Sequence, residues 1–311
     1  MKQPDYSFTN LEPEQELLSA LAPQWRARFK QALKLMDKGL EQAIEHHTPL
    51  PSWEDIAAQC AVSPHYFHRM FRLVFAEPPG QYIARQRLQW AVLLLTEELE
   101  LSITDVAQLS GFSSSQALAK ALRRALGYSA KQIRANRYDY DKLETLTYQL
   151  GHPKPIAQRC LEQQMAQTIE FDIQSLPDQY YFVKAMKSPG FLKTADYWQT
   201  LKRQGKQQMV SIVQLQEFDK PDHEQIHLIG YPVTSSQPAN LTVKAANFLC
   251  CHVTVSTDAG YNAAWDALYE YLLHHDIEPD MNSYVVEWIH NPDTILGRGT
   301  EITLQLPIRN S

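Results

Sequence analysis

What this 311-residue sequence has little of narrows its class. Cysteine occurs four times, as Cys60, Cys160, Cys250 and Cys251, with no CxxC spacing. Adjacent cysteines rarely ligate one ion, so zinc ribbons and redox dithiols are excluded and reduced structural thiols are expected. No apolar run approaches the roughly 20 residues that span a bilayer. The opening MKQPDYSFTN has no apolar core of signal-peptide length, so a cytoplasmic protein without a membrane partner is expected. There is no phosphate-binding loop, no metal-ligand cluster and no nucleophile with a spaced base. The sequence therefore assigns no catalytic residue, no metal and no cofactor, and the protein is not expected to be an enzyme. The histidines are scattered; the pairs His46/His47 and His274/His275 sit at predicted helix ends, where last-turn capping accounts for them.

Net charge is also missing from half the chain. Residues 1–150 carry 17 basic and 17 acidic side chains, whereas residues 151–311 carry 12 and 18, so the whole net charge of −6 belongs to the second half. Inside the neutral half, residues 60–137 hold 10 basic against 5 acidic side chains. A positive surface is thus embedded in an acidic protein, and the overall pI near 6.0 does not exclude a nucleic-acid partner.

The periodicity divides the chain. Residues 1–24, with Pro4, Pro13 and Pro23, read as a polar arm with a helical turn or two around Glu14 to Leu21. From Trp25 to His47, Phe29, Leu33, Met36, Leu40 and Ile44 recur at three and four and make one helix face, which Pro49 and Pro51 stop. Short helices then alternate to about Tyr138, with turn or cap signals at Ser63-Pro64, Pro78-Pro79-Gly80, Ser102, Gly111 and Gly127. Residues 25–140 should be all α. Residues 141–167, broken by Gly151, Pro153 and Pro155, read as a linker. Beyond them, residues 168–311 should be α+β: strand-like runs Tyr180–Ala185, Ile226–Tyr231, Phe248–Val255, Tyr284–Ile289 and Glu301–Leu306 alternate with helical patterns Ala195–Gln204 and Ala263–His274. This half repeats itself. A strand, a helix with Trp198 and Leu201, and a strand ending Tyr231-Pro232-Val233 are echoed by a strand, a helix with Trp265 and Leu268, and a strand ending Leu306-Pro307-Ile308.

Two stretches carry the pattern of a helix-turn-helix, which needs a small residue in the first helix, a tight turn about four residues later and apolar anchors on the second helix. Residues 53–72 offer Ala57, a turn at Ala61-Val62, Ser63 as N-cap, and Phe67 and Phe71. Residues 103–124 offer Ala107, a turn at Gly111-Phe112, Ser113 or Ser114 as cap, and Leu118 and Leu122. Tyr82, Ile83, Leu88, Ala91, Val92 and Leu95 describe an amphipathic helix that would hold the two apart. A single unit is a common structural hairpin; two in tandem joined by a helix are far more specific. The run Ile56 to Arg134, with IAAQCAVSPHYFHRMFR, PPGQYIARQRLQWAVLLL and SITDVAQLSGFSSSQALAKALRRALGYSAKQIR, resembles the DNA-binding domain of AraC/XylS-type bacterial transcription regulators.

That resemblance implies that both second helices enter the major groove of double-stranded DNA. It puts His65, His68 and Arg69, then Ser115, Gln116, Ala119 and Lys120, on base edges. Arg and Gln suit paired hydrogen bonds to guanine and adenine. Arg72, Arg123, Arg124, Lys131 and Arg134 would meet phosphates, or otherwise form a solvated helix face. RNA polymerase is the further partner it implies. Ala76 stands where the family usually has glycine, Leu118, Leu122 and Leu126 replace commoner phenylalanines, and Ala119 removes a polar group from the second reading surface. Arg85 and Arg87, on the connecting helix, read as structural ion-pair partners.

From Thr168 to Ile308, SLPDQYYFVKAM, AAWDALYEYL, YVVEWIHNP and ITLQLPI resemble the GyrI-like effector-binding domain, a duplicated β-α-β-β unit. The resemblance implies a small-molecule cleft with an acidic residue, here Glu287. Taken by itself, a carboxylate within an apolar strand needs a partner: an internal cation, tyrosine hydroxyls, or a cationic or aromatic effector. Tyr197, Trp198, Tyr261, Trp265, Tyr284 and Trp288 could wall such a pocket or be core. The expectation is a DNA-binding transcription regulator controlled by an effector; the alternatives are that the second half is a hydrolase or a ligand-sequestering module.

Overall fold

The computed structural model describes residues 8–19, 21–46, 51–153, 160–187, 190–220, 224–236, 238–292 and 299–309, so His47 lies outside it. The chain divides into a helical unit, Pro13–Leu161, and a sheet unit made of Met1–Glu12 and Glu162–Ser311.

The helical unit contains α1 (Pro13–Ser19), α2 (Pro23–His46), α3 (Trp53–Gln59), α4 (Pro64–Phe75), α5 (Pro79–Glu97), α6 (Ile103–Leu109), α7 (Ser115–Leu126), α8 (Ala130–Ala135) and α9 (Tyr140–Gln149). The apolar stripe of α2, Phe29, Leu33 and Met36, packs with Ile56, Ala57, Phe67, Phe71, Phe75 and Tyr82 into one core. Burial of each such aromatic side chain contributes about 1.5–3 kcal/mol. Segments expected to be an arm and a linker are built into this unit instead. Glu14 of α1 accepts from Tyr82 Oη at 2.7 Å and sits 2.9 Å from His152 Nε2. Arg85 pairs with Glu77 at 2.7 Å and donates to the Leu150 carbonyl. These groups are buried, and each charge has an opposite charge or a strong acceptor beside it, which is the condition for burying them at all. Residues 141–153 are thus structural: α9 and the segment after it bring Leu146, Leu150 and His152 into the interior. A further short helix, α10 (Leu161–Met165), begins at the boundary.

In the sheet unit, β1 (Thr9–Leu11) and β2 (Asp172–Leu176) share one edge of β7 (Ala246–Val255): β1 pairs parallel with residues 253–255 and β2 antiparallel with residues 246–250. Residues 9–11 are therefore part of this sheet and not a free arm. The order continues β7, β9 (Thr300–Ile308), β8 (Tyr284–Ile289), β4 (Met209–Gln214), β5 (Ile226–Val233), β3 (Gln179–Lys187), β6 (Leu241–Val243). Gly230 is required in β5, because a β-carbon there would meet the Phe182 carbonyl of β3 at 2.0 Å. Two helices, α11 (Gly190–Arg203) and α12 (Asp258–His274), follow β3 and β7. The element order β3-α11-β4-β5 recurs as β7-α12-β8-β9, and β4 pairs with β8 between them. Both helices end in the same turn. Lys206 N–H bonds the Leu201 carbonyl beyond α11, and Ile277 N–H bonds the Leu272 carbonyl beyond α12, with Gly205 and Asp276 left-handed before them. His275 caps α12 through its N–H and Nδ1 on the Tyr271 carbonyl.

Candidate functional sites

Two hairpins in the helical unit share one turn. In the first, Val62 N–H bonds the Ala57 carbonyl at 3.0 Å across left-handed Ala61; in the second, Phe112 N–H bonds the Ala107 carbonyl at 2.7 Å across left-handed Gly111. Ala57 and Ala107 are fully buried in the first helix of each hairpin, where a small residue is expected at the crossing. Phe67 and Phe71 anchor α4, and Leu118 and Leu122 anchor α7, each on the buried stripe. Ser63 is the N-cap of α4, its side chain making no cap bond, while Ser114 caps α7 by accepting from Ala117 N–H.

With those stripes inward, α4 presents His65, Arg69 and Arg72 to solvent. His68 is half-buried, its ring 5.4 Å from that of Trp53. Trp53, Glu54, Pro64, His65, His68, Arg69, Arg72 and Leu73 line one surface groove. On α7, Gln116 and Lys120 are exposed, Ser115 and Ala119 half-exposed, and Arg123 and Arg124 emerge from the last turn, with Lys131 exposed on α8. Among the described residues none of Arg69, Arg72, Lys120, Arg123, Arg124 and Lys131 is ion-paired, so these cations are available to an anionic partner. Arg134, expected at phosphate, is half-buried and donates to the Leu101 carbonyl at 2.8 Å, which ties α8 down. Arg85 is ion-paired as expected, but Arg87 is not. It donates to the carbonyls of Ser110 and Gly111 and lies 4.0 Å above the Phe112 ring, bracing the second turn against α5.

In the sheet unit, Glu287 is half-buried on the face that carries α12. Tyr261 Oη donates to Glu287 Oε1 at 2.5 Å. Burial pushes the carboxyl up from its ordinary range, and hydrogen bonds from Tyr261, Trp265 and Ser211 pull it partly back. Tyr269 stands next to Trp265, ring centroids 5.9 Å apart, and burial with the Glu287 charge nearby raises its hydroxyl. Three expected wall residues are elsewhere. Side chains alternate along a strand, so Trp288 and Tyr284 face the opposite side from Glu287. There they pack on an apolar core with Tyr181, Val210, Phe248 and Val286. Trp288 donates to Gln305. Trp198 is buried and donates to the Val210 carbonyl, which makes it core. Tyr197 lies on the Glu287 face but beside Lys184. Ser211 and Tyr269 were not read from the sequence; Ser211 lies directly opposite Glu287 in the β4/β8 register.

Among the described residues no group of three or more His, Cys, Asp or Glu could hold a metal, and no helix is long and apolar enough to cross a membrane.

The paired hairpins lie within residues 56–136, which match the family model described as a helix-turn-helix domain. The HTH-type transcriptional activator RhaS of Klebsiella pneumoniae is 32% identical over 111 residues, 36% of this chain and 37% of that protein. The HTH-type transcriptional regulator AlkR of Acinetobacter baylyi is 34% identical over 104 residues, 32% of this chain and 34% of that protein. The DNA-binding domain of AdpA, solved in complex with a target DNA, is 30% identical with a TM-score of 0.31, covering 35% of this chain and 95% of that one. The chain spans about a third of the length of the curated relatives it matches.

Proposed function

We propose that the protein is a sequence-specific DNA-binding transcription regulator of the AraC family. In this reading the helical unit grips double-stranded DNA, and the sheet unit, a GyrI-like domain, binds a small-molecule effector; RNA polymerase is the partner on which regulation acts, in the cytoplasm. The observation that carries the DNA half is the repetition of one hairpin, with the same turn bond at Ala57/Val62 and Ala107/Phe112, each presenting cations that have no ion-pair partner among the described residues. Base reading falls to His65, His68 and Arg69 on α4 and to Ser115, Gln116, Ala119 and Lys120 on α7. Phosphate contact falls to Arg72, Arg123, Arg124 and Lys131. Support for the effector half is Glu287, a carboxyl within an apolar sheet that accepts from Tyr261 and stands near Trp265 and Tyr269, its affinity for a proton raised by burial, a cost that a cationic or hydrogen-bonding ligand would relieve. Effector control then requires unequal affinity for two arrangements of the protein.

Selection of bound sequences from a random duplex pool tests the reading, using the full chain, Arg69→Ala and Lys120→Ala. A defined motif that each variant relaxes at a different position is expected, with losses of about 1–3 kcal/mol per lost bidentate contact. Recovery of nothing above background by the folded wild-type protein would refute it.

A further inference from the structure

The face of the sheet that carries Glu287 has an opposite pole. Lys184 of β3 is in register with Ile229 of β5, Ile229 with Ser211 of β4, and Ser211 with Glu287 of β8. Four residues in cross-strand register share one face, so Lys184 and Glu287 stand on the same face three strand spacings apart, about 14 Å between α-carbons. Both helices lie over that face: Tyr261 of α12 bonds Glu287, and Tyr197 of α11 places its ring 5.4 Å under the Lys184 ammonium. Next to Lys184, Phe182 and Tyr231 stack at 5.6 Å, and the Lys206 ammonium lies 4.0 Å over the Tyr231 ring.

Three features set this pole apart from an ordinary solvated surface. Neither Lys184 nor Lys206 is ion-paired among the described residues, although the sheet unit is acidic overall. Lys206 is fixed by its backbone, since it follows left-handed Gly205 and closes the turn at the end of α11 on the Leu201 carbonyl. That position commonly holds an apolar residue packed on the last turn, and the matching residue after α12 is Ile277; the first copy has a cation there. Two ammonium groups on aromatic rings leave their outward N–H donors unfilled, which suits an anionic group.

We infer that the effector is a zwitterion on a flat apolar or aromatic body, its cationic or donor end on Glu287 and its anionic end between Lys184 and Lys206. This rests on the reading of the Glu287 face as the effector site and adds the second charge. The α-carbon separation sets the scale of the span between the charges, so the ligand is about two aromatic rings long.

Isothermal titration calorimetry of the full chain tests it with three probes: a rigid biphenyl bearing an aminomethyl group at one end and a carboxylate at the other, its methyl ester, and the carboxylate with a methyl in place of the aminomethyl. The expected result is that the zwitterion binds about ten-fold or more tightly than the ester. The double variant Lys184→Met, Lys206→Met, which keeps the aliphatic stems on the rings, brings the zwitterion down to the affinity of the ester and leaves the ester unchanged. Equal binding of zwitterion and ester, both lost in Glu287→Gln, overturns the second pole while the Glu287 reading stands. Binding of the zwitterion unaltered by Glu287→Gln, or no binding of any probe, overturns that reading and this one with it.

Discussion

Each of the two hairpins ends in a helix that stops on a left-handed residue, and the two residues differ. The helix α4 stops on Ala76, at φ 57° and ψ 7°; α7 stops on Gly127, at φ 77° and ψ 0°. An alanine in that region costs about 1–2 kcal/mol from the clash of its β-carbon with the following carbonyl. Glycine avoids the clash but gives up about 0.5–1 kcal/mol of extra freedom in the unfolded chain. The net gain for Ala76→Gly is therefore about 0.5–1 kcal/mol, and the reverse change, Gly127→Ala, costs about the same. Nothing lies within 4 Å of a β-carbon built on Gly127, so no steric contact adds to the backbone cost. For a unit of this size such a change moves the melting temperature by about 2–5 °C. Differential scanning calorimetry of the full chain follows the transition of the helical unit: up for Ala76→Gly, down for Gly127→Ala. Both residues are exposed, so affinity for DNA extrapolated to low temperature stays unchanged. A Gly127→Ala protein as stable as wild type would show that the cap conformation does not set the stop, and the reasoning from the shared hairpin would fail.

Further outcomes follow from the two sites. Arg123→Ala and Arg124→Ala should each reduce the salt dependence of DNA affinity by about one phosphate contact and weaken all sequences alike, read from anisotropy titrations across salt concentrations; a change of preferred sequence would contradict their assignment. Glu287 is raised in the folded protein, so its ionised form opposes folding at neutral pH, an effect relieved as pH falls through the folded value. Glu287→Gln should thus raise the melting temperature of the sheet unit at neutral pH while abolishing binding of ammonium ligands, and a lower melting temperature would contradict the burial argument. His290, next to His252 with Thr303 Oγ1 hydrogen-bonded to both rings, is lowered by burial and by His252 to about 4. Its folded value lies below its unfolded one of about 6.5, so the unfolded chain takes up the proton first and stability is lost as pH falls from about 6.5 towards 4. Denaturation of wild type and His290→Gln across that range checks this: the loss should be smaller in the variant, and identical profiles would refute it.

Much of the helical unit was legible because each decisive position is a buried residue at helical spacing. Ala57, Phe67 and Phe71, and fifty residues later Ala107, Leu118 and Leu122, declare both the hairpin and its inward face. Outward residues follow by subtraction, which is why most of the positions proposed to read bases emerge on exposed surface. Arg134 did not, since a cation near a helix end looks the same whether it meets phosphate or, as here, the Leu101 carbonyl. The segments at residues 8–19 and 141–153 are hidden in the sequence for another reason. Thr9–Leu11 is too short and polar to signal a strand, and its partner in β7 is remote in sequence. His152 and Glu14 announce nothing until they meet. In the sheet unit, neighbours in a strand point to opposite faces, so strand alternation alone separates Trp288 from Glu287. Ser211, Tyr269, Lys184 and Lys206 carry no motif, and only the strand register and the helix positions bring them to that face.

The most direct test of the central claim is a hydroxyl-radical footprint of the 311-residue chain on its selected duplex site. Two hairpins reading DNA together predict two protected backbone segments on one face, about one helical turn apart. Arg69→Ala should weaken one segment and Lys120→Ala the other. A single protected segment, indifferent to one of the two substitutions, would contradict the account.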